Sequence, residues 1–271
     1  MTGAFGPRVS PVRDGGHPYL GSGFVAMAHR GGWLRPEDRP RENTWYAFAQ
    51  AVAEGYRYIE TDVHTTADGR LIAFHDAQLG RVTNASGAVA DHTWAELADV
   101  RVGGSDPISL LEELLVEFSG TFFNIDLKDE RSVTILPPLL AKLGAEDRVC
   151  VASFSTGRLS RFRALAPNVL TATTPIEVAW YGFGLGLRRR RLGAGAVLQV
   201  PERVLSDRVA LVRTDVIRAA HQAGCAVHVW TIDDRDDMER LIDLGVDGIV
   251  TNEIGTLKDV LIDRGLWKGQ G

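Results

Sequence analysis

From residue 24 onward the chain alternates short β-branched and apolar runs with longer segments whose apolar positions recur at helical spacing. The runs FVAMAH, RYIETDV, TFFNIDL, RVCVASF, NVLTAT, AVLQVP, AVHVWTI and VDGIVT read as eight strands. The segments that follow them read as helices, including one over 176–190, and several stop at glycine, which takes the left-handed conformation freely. Eight strand-helix repeats in about 250 residues is the arithmetic of a (β/α)8 TIM barrel. A doubly wound open sheet is the competing α/β architecture. GRLIAFHD and the turn-rich TNASGAVADHTWAELADVRVGG form a small insertion between the second and third βα units. The expected organisation is one barrel over residues 24–266 with an N-terminal extension over 1–23.

Polar residues gather at one end of these otherwise apolar strands: His29 with Arg30, Glu60 with Asp62, Asp126 with Lys128, Ser153, Gln199, Trp230, and Thr251 with Asn252. In a parallel barrel the C-terminal rim is where sites are built, so these distant positions converge on one mouth. Side chains alternate along a strand, which puts Glu60 beside Asp62 and Asp126 beside Lys128 on the same face. Three carboxylates in one pocket repel one another, and a hard divalent cation relieves that repulsion. Salt bridges to Arg30 and Lys128 would do so too, and both readings stay open. His29 and His75 suit an acid/base pair near neutral pH, and each precedes a charged residue, which is poor core composition. Arg30 offers a phosphate a bidentate fork and Lys128 adds a point charge.

Composition excludes some partners. The net charge of -5 gives no global basic surface for nucleic acid, and it mildly repels anionic membranes, so membrane contact is not expected. A small-molecule substrate is. Cys150 and Cys225 lie far apart on apolar strands and read as small buried hydrophobes, which favours a reducing cytoplasm. No apolar run near the N-terminus resembles a signal peptide, and none elsewhere reaches a membrane-spanning length. Oligomeric state is not legible.

AHRGG, then ENTWYAFAQAVAEGYRYIETDVHTTADGRLIAFHD, resembles the glycerophosphodiester phosphodiesterase family in its ordered His-Arg, Glu-x-Asp and His-Asp signature. The likeness continues through DPISLLEELL, FNIDLK, VASFS and VHVWTIDDRDDMERLIDLGVDGIVTNEI, over roughly residues 25–262. It implies a TIM-barrel hydrolase that converts glycerophosphodiesters to glycerol 3-phosphate and an alcohol with a divalent cation, Mg²⁺ or Ca²⁺. On that basis His29 and His75 are the catalytic acid/base pair, Glu60, Asp62 and Asp126 hold the metal, and Arg30 and Lys128 bind phosphate. Glu42 orders the site near His29, and Trp230 walls the glycerol side. The likeness is imperfect: the family more often has glutamate at Asp126 and aspartate at Asn252, and RGGWLRPEDRPRENT is longer than its usual link.

Two further substrate readings belong with the resemblance: lysophospholipids, as in lysophospholipase D or sphingomyelinase D relatives, and a non-catalytic barrel that binds phosphorylated ligands. Retention of both histidines and all three carboxylates argues against the last. His64 is in phase with Glu60 and Asp62 but sits at a turn, so it reads as a non-ligand. His228 reads as a hydrogen-bonded interior residue and Ser153 as a pocket hydrogen bonder without a nucleophile elbow. The aromatic stretch before Arg188 to Arg191 reads as a fifth helix; an interfacial lipid-docking patch is its alternative.

Overall fold

The computed structural model describes residues 17–21, 23–174, 177–178, 197–204 and 209–269. The expected fifth helix and the Arg188 to Arg191 run lie outside the described residues, apart from Glu177 and Val178. Eight parallel strands form the barrel: β1 Val25–Trp33, β2 Tyr58–Thr65, β3 Phe122–Leu127, β4 Val149–Ala152, β5 Leu170–Thr171, β6 Val197–Pro201, β7 Ala226–Trp230 and β8 Gly248–Glu253. They pair in chain order, β8 returns to β1 with Val25 opposite Gly248, and the ring closes between β5 and β6 at the bridge of Ala172 to Val197. The competing open sheet is thereby excluded.

Helices α1 Trp45–Ala53, α2 Leu111–Glu117, α3 Ser132–Leu143, α4 Thr156–Leu165, α5 Thr214–Gln222, α6 Arg235–Leu244 and α7 Ile254–Asp263 accompany the strands. Local chemistry sets their ends: Thr44, Ser155 and Asp234 cap the starts of α1, α4 and α6, while Gly144 and Gly245 take left-handed backbone after α3 and α6. One parity of the strands, including Ala28, Ile59, Ile125, Val151, Val200 and Val229, packs against helix residues such as Phe48, Leu136 and Leu257. The other parity forms a second apolar cluster of Val25, Met27, Tyr58, Cys150, Leu170, Val197, Ala226 and Val250. Tyr19 and Leu20, from the expected extension, join that second cluster. Tyr19 is fully buried, sets its ring edge-on to Tyr58 and Phe122, and accepts the Tyr58 hydroxyl at its carbonyl. Residues 17–21 thus stopper the barrel rather than trail from it.

The insertion is present, but it lies inside the second βα unit, between β2 and α2, rather than between the second and third units. Leu71–Ala73 pairs antiparallel with the end of β2, Ser109–Leu110 pairs with Leu71–Ala73, and Ile72, Phe74, Leu79, Leu97 and Ile108 give the excursion a core of its own. Among the described residues no helix is long and apolar enough to cross a membrane.

Candidate active site

β1 does not stop at His29, where its apolar run ends. It continues to Trp33 through a register shift, with Arg30, Gly31 and Gly32 all at positive φ (53°, 90° and 64°). Glycine is required at 32 because a β-carbon there would collide with Ile254 and the backbone of Asn252. The expected strand FVAMAH ends at His29, so the bulge lies beyond the run that the sequence pattern marks. Its effect is to aim His29 and Arg30 into the mouth together, with the Arg30 backbone N–H donating to Glu60 Oε2 at 3.1 Å.

The expected site residues His29, Arg30, Glu60, Asp62, His75, Asp126, Lys128 and Trp230 all line one cavity of about 540 Å³. Asp62 and Asp126 are neutralised by cations. Lys128 Nζ lies 2.8 Å from Asp62 Oδ1 and 2.6 Å from Asp126 Oδ2, and Arg30 Nε lies 3.1 Å from Asp62 Oδ2. Of the two readings left open by sequence, the salt-bridge arrangement is therefore in place. Among the described residues no three acidic, histidine or cysteine side chains form a finished ligand cage. The donor set nevertheless suits a hard divalent cation: three carboxylates face two cationic side chains, and Asp126 Oδ1 is buried without a hydrogen-bond partner. Burial, with Asp62 alongside, pushes the Glu60 carboxyl well above its ordinary range. Burial also pushes Asp126 up, and for Asp62 the opposing pull of Lys128 and Arg30 outweighs burial and holds it down.

Each catalytic-candidate imidazole is anchored at Nδ1. Asn252 Oδ1 lies 2.7 Å from His29 Nδ1, and Asp76 Oδ1 lies 2.6 Å from His75 Nδ1. His29 Nε2 then stands 3.8 Å from Glu60 Oε2, and burial, helped by Arg30, lowers the His29 pKa from its usual value. Glu42 accepts from Arg30, the neighbour of His29, at 3.1 Å and pairs with Arg81, which also pairs with Asp76, so it braces the guanidinium and links it to the His75 side of the site. From the end of the long link Asn43 returns to Asp62, with Nδ2 donating to Oδ2 at 3.0 Å.

His64 turns away from the carboxylates: its Nε2 is 3.1 Å from the His75 carbonyl and its Nδ1 is 3.6 Å from Asp129, so it supports the His75 backbone. Ser153 lines the cavity and donates to the Leu127 carbonyl. His228 is interior and 1% exposed, but neither ring nitrogen has a protein partner, which corrects the expectation of a hydrogen-bonded residue. On the opposite side the wall is apolar. Trp230 meets Phe154 edge-on at 5.7 Å, and Val178, Pro201 and Leu211 complete it.

The model of the glycerophosphoryl diester phosphodiesterase family matches residues 29–256. The chain belongs to that family. A Mycobacterium tuberculosis protein named Probable glycerophosphodiester phosphodiesterase 2 is 35% identical over 95% of this chain and 100% of its own length. A glycerophosphodiester phosphodiesterase of Bacillus altitudinis is 31% identical, covering 78% of this chain and 89% of that one. The crystal structure of an Agrobacterium tumefaciens glycerophosphodiester phosphodiesterase superposes with a TM-score of 0.70 at 23% identity, covering 86% of this chain and 98% of that chain, which speaks to the fold. Against the family background, the residues that sequence reading passed over are Asp76, Arg81, Phe154 and Asp233. Asp76 stood in view in the His-Asp motif; Arg81 lies beyond that motif and Asp233 past the end of β7, where no periodicity marks either.

Proposed function

We propose that the protein is a divalent-cation-dependent phosphodiesterase that hydrolyses glycerophosphodiesters to glycerol 3-phosphate and an alcohol. The observation that carries this reading is the meeting of two Nδ1-anchored histidines with three carboxylates, Arg30 and Lys128 in one cavity of a chain from this family. Glu60, Asp62 and Asp126 would hold Mg²⁺ or Ca²⁺, which when bound polarises the phosphoryl group and makes an attacking oxygen more acidic. Arg30 and Lys128 neutralise and orient the phosphate. One imidazole takes the proton of the attacking hydroxyl, whether from water or from the glycerol moiety. The other delivers a proton to the alcohol oxygen as its bond to phosphorus breaks; with water as the attacker the phosphorus product is the monoester, and with a glycerol hydroxyl it is a cyclic phosphodiester that water then opens with the two imidazoles in exchanged roles. Trp230 and Phe154 form the apolar side, against which the carbon skeleton of the substrate rests. The burial of Cys150 and Cys225 within the fold suits a reducing cytoplasm as the working compartment.

A lysophospholipid is the second reading, favoured by Phe154, which is 66% exposed at the apolar rim. The test is a product assay with glycerophosphocholine, glycerophosphoethanolamine, glycerophosphoglycerol and lysophosphatidylcholine, with and without added cation. The expected outcome is cation-dependent turnover, faster on the soluble diesters, that falls at least about a hundredfold in His29→Ala and His75→Ala. Full turnover in protein freed of metal by chelation removes the cation from the reading, and near-wild-type turnover in either variant removes that histidine.

A further inference from the structure

Asp233 sits in the β7–α6 connection, outside the ring of residues discussed so far, yet it is tied to His29 through one side chain. Its Oδ1 accepts from the Asn252 backbone N–H at 2.8 Å and from Thr251 Oγ1 at 3.0 Å, and its Oδ2 accepts from Asn252 Nδ2 at 2.8 Å. A carboxylate only accepts hydrogen bonds, so the amide end of Asn252 that faces Asp233 is its NH₂ group. The other end, Oδ1, is then the one 2.7 Å from His29 Nδ1. An amide oxygen also only accepts, so Nδ1 carries a hydrogen, and the lone pair of neutral His29 is on Nε2, the nitrogen on the Glu60 side.

We propose that Asp233 is a positioning residue that fixes the amide orientation of Asn252 and thereby the tautomer of His29. This rests on the acid/base role of His29 proposed above. The proton exchanged with substrate comes and goes at Nε2, while Nδ1–H stays on its acceptor in both protonation states. The arrangement is an alternation of acceptor, donor, acceptor and donor along Asp233, Asn252 and His29, and inverting one member inverts those beyond it. In Asp233→Asn the new Oδ1 still serves Thr251 and the backbone N–H, but its NH₂ faces the NH₂ of Asn252. Relief comes from a flip of Asn252, whose NH₂ then donates to His29 Nδ1 and moves the ring hydrogen to Nε2. Exchanging the two side chains in Asp233→Asn/Asn252→Asp restores the alternation, because Asn at 233 donates to Asp at 252, which accepts from His29 Nδ1–H.

The experiment pairs ¹⁵N NMR of the histidine rings at about pH 8, where imidazole is neutral, with steady-state kinetics on glycerophosphocholine. The His29 signal is assigned by its loss in His29→Ala. The expected wild-type ring is protonated at Nδ1; Asp233→Asn shifts it to Nε2–H and lowers kcat at least about tenfold with KM within about twofold, as a wrong tautomer does. The double exchange returns both the Nδ1–H signature and most of kcat, which a merely structural role for Asp233 would not do. An unchanged tautomer in Asp233→Asn, or no recovery in the double exchange, overturns the assignment. If His29→Ala retains turnover, the acid/base reading fails instead, and the NMR arm still decides the tautomer.

Discussion

Asn43 holds a left-handed backbone (φ 59°) in a buried position where most side chains would be strained. Its Nδ2 donates to Asp62, its Oδ1 accepts from Thr61 Oγ1 at 2.8 Å, and its backbone N–H donates to the Arg30 carbonyl at 2.9 Å. Asn43→Ala forfeits the conformational preference and leaves the Thr61 hydroxyl unpaired, so a loss of about 2 to 3 kcal/mol is expected in urea unfolding. A loss under about 0.5 kcal/mol, ordinary for a surface change, would count against that account. Two histidines set opposite pH trends. Burial lowers His228 from its usual 6.5 to about 4, so the unfolded chain binds a proton in that interval which the folded chain does not. Stability from this group is present above about pH 6.5 and drains away as pH falls toward 4, on the order of 3 kcal/mol in all. His221 is raised by its 2.7 Å bond to Asp247; its contribution is full below the unfolded value and is lost as pH rises through the folded one. Melting curves should show His221→Gln costing more at about pH 5.5 than at about pH 8.5, and His228→Leu flattening the acid slope. The reverse order for His221, or an acid slope unchanged in His228→Leu, would refute the respective assignment.

At the scale of elements, the excursion between β2 and β3 carries His75 on a small core separate from the barrel. Leu97 is 2% exposed in that core and is not one of the residues that line the cavity. Leu97→Ala leaves a cavity there and is expected to cost about 2 to 5 kcal/mol of the excursion's local stability. Because His75 rides on this unit, kcat should fall with it while the thermal midpoint of the barrel moves less; hydrogen exchange confined to residues 71–110 would mark the unit. Uniform loss of protection across the barrel would contradict the separation. All eight strands were legible because both of their faces are buried, which leaves a near-continuous apolar signal that polar rim residues interrupt only at the C-terminal ends. His29, Glu60, Asp62, Asp126 and Lys128 could be placed at one mouth for the same reason. The continuation of β1 through Gly31 and Gly32 was hidden, since positive φ and turn propensity look alike in a sequence. Asp233 and Arg81 were hidden too, because their partners are fixed by tertiary approach and not by any spacing along the chain.

Across the whole molecule, the barrel interior changes character along its axis. The stopper and the apolar cluster around Met27, Tyr58 and Cys150 form a dry floor; Asn124, Gln199 and His228 form a polar middle, where Gln199 donates to Asn124 at 2.9 Å; the charged mouth lies above. The low dielectric below strengthens every charge interaction at the mouth. Tyr19→Ala is expected to cost about 3 to 5 kcal/mol, in line with truncation of a buried aromatic. Since the stopper is remote from the rim, KM should stay within about twofold once protein is assayed below its lowered melting point. A large KM change with little loss of stability would instead tie the floor to substrate binding.

The seam between β1 and β8 joins residues more than two hundred positions apart, and it is across this seam that Asn252 reaches His29. Long-range parallel pairing of this kind is slow to form, because its loop must close before any contact compensates. During synthesis His29 therefore waits for nearly the whole chain before its ring is oriented. A nascent or truncated product that lacks β8 has the carboxylates, Arg30 and Lys128 but no oriented His29, so on the proposed acid/base role of His29 phosphodiester cleavage is expected of the finished ring alone.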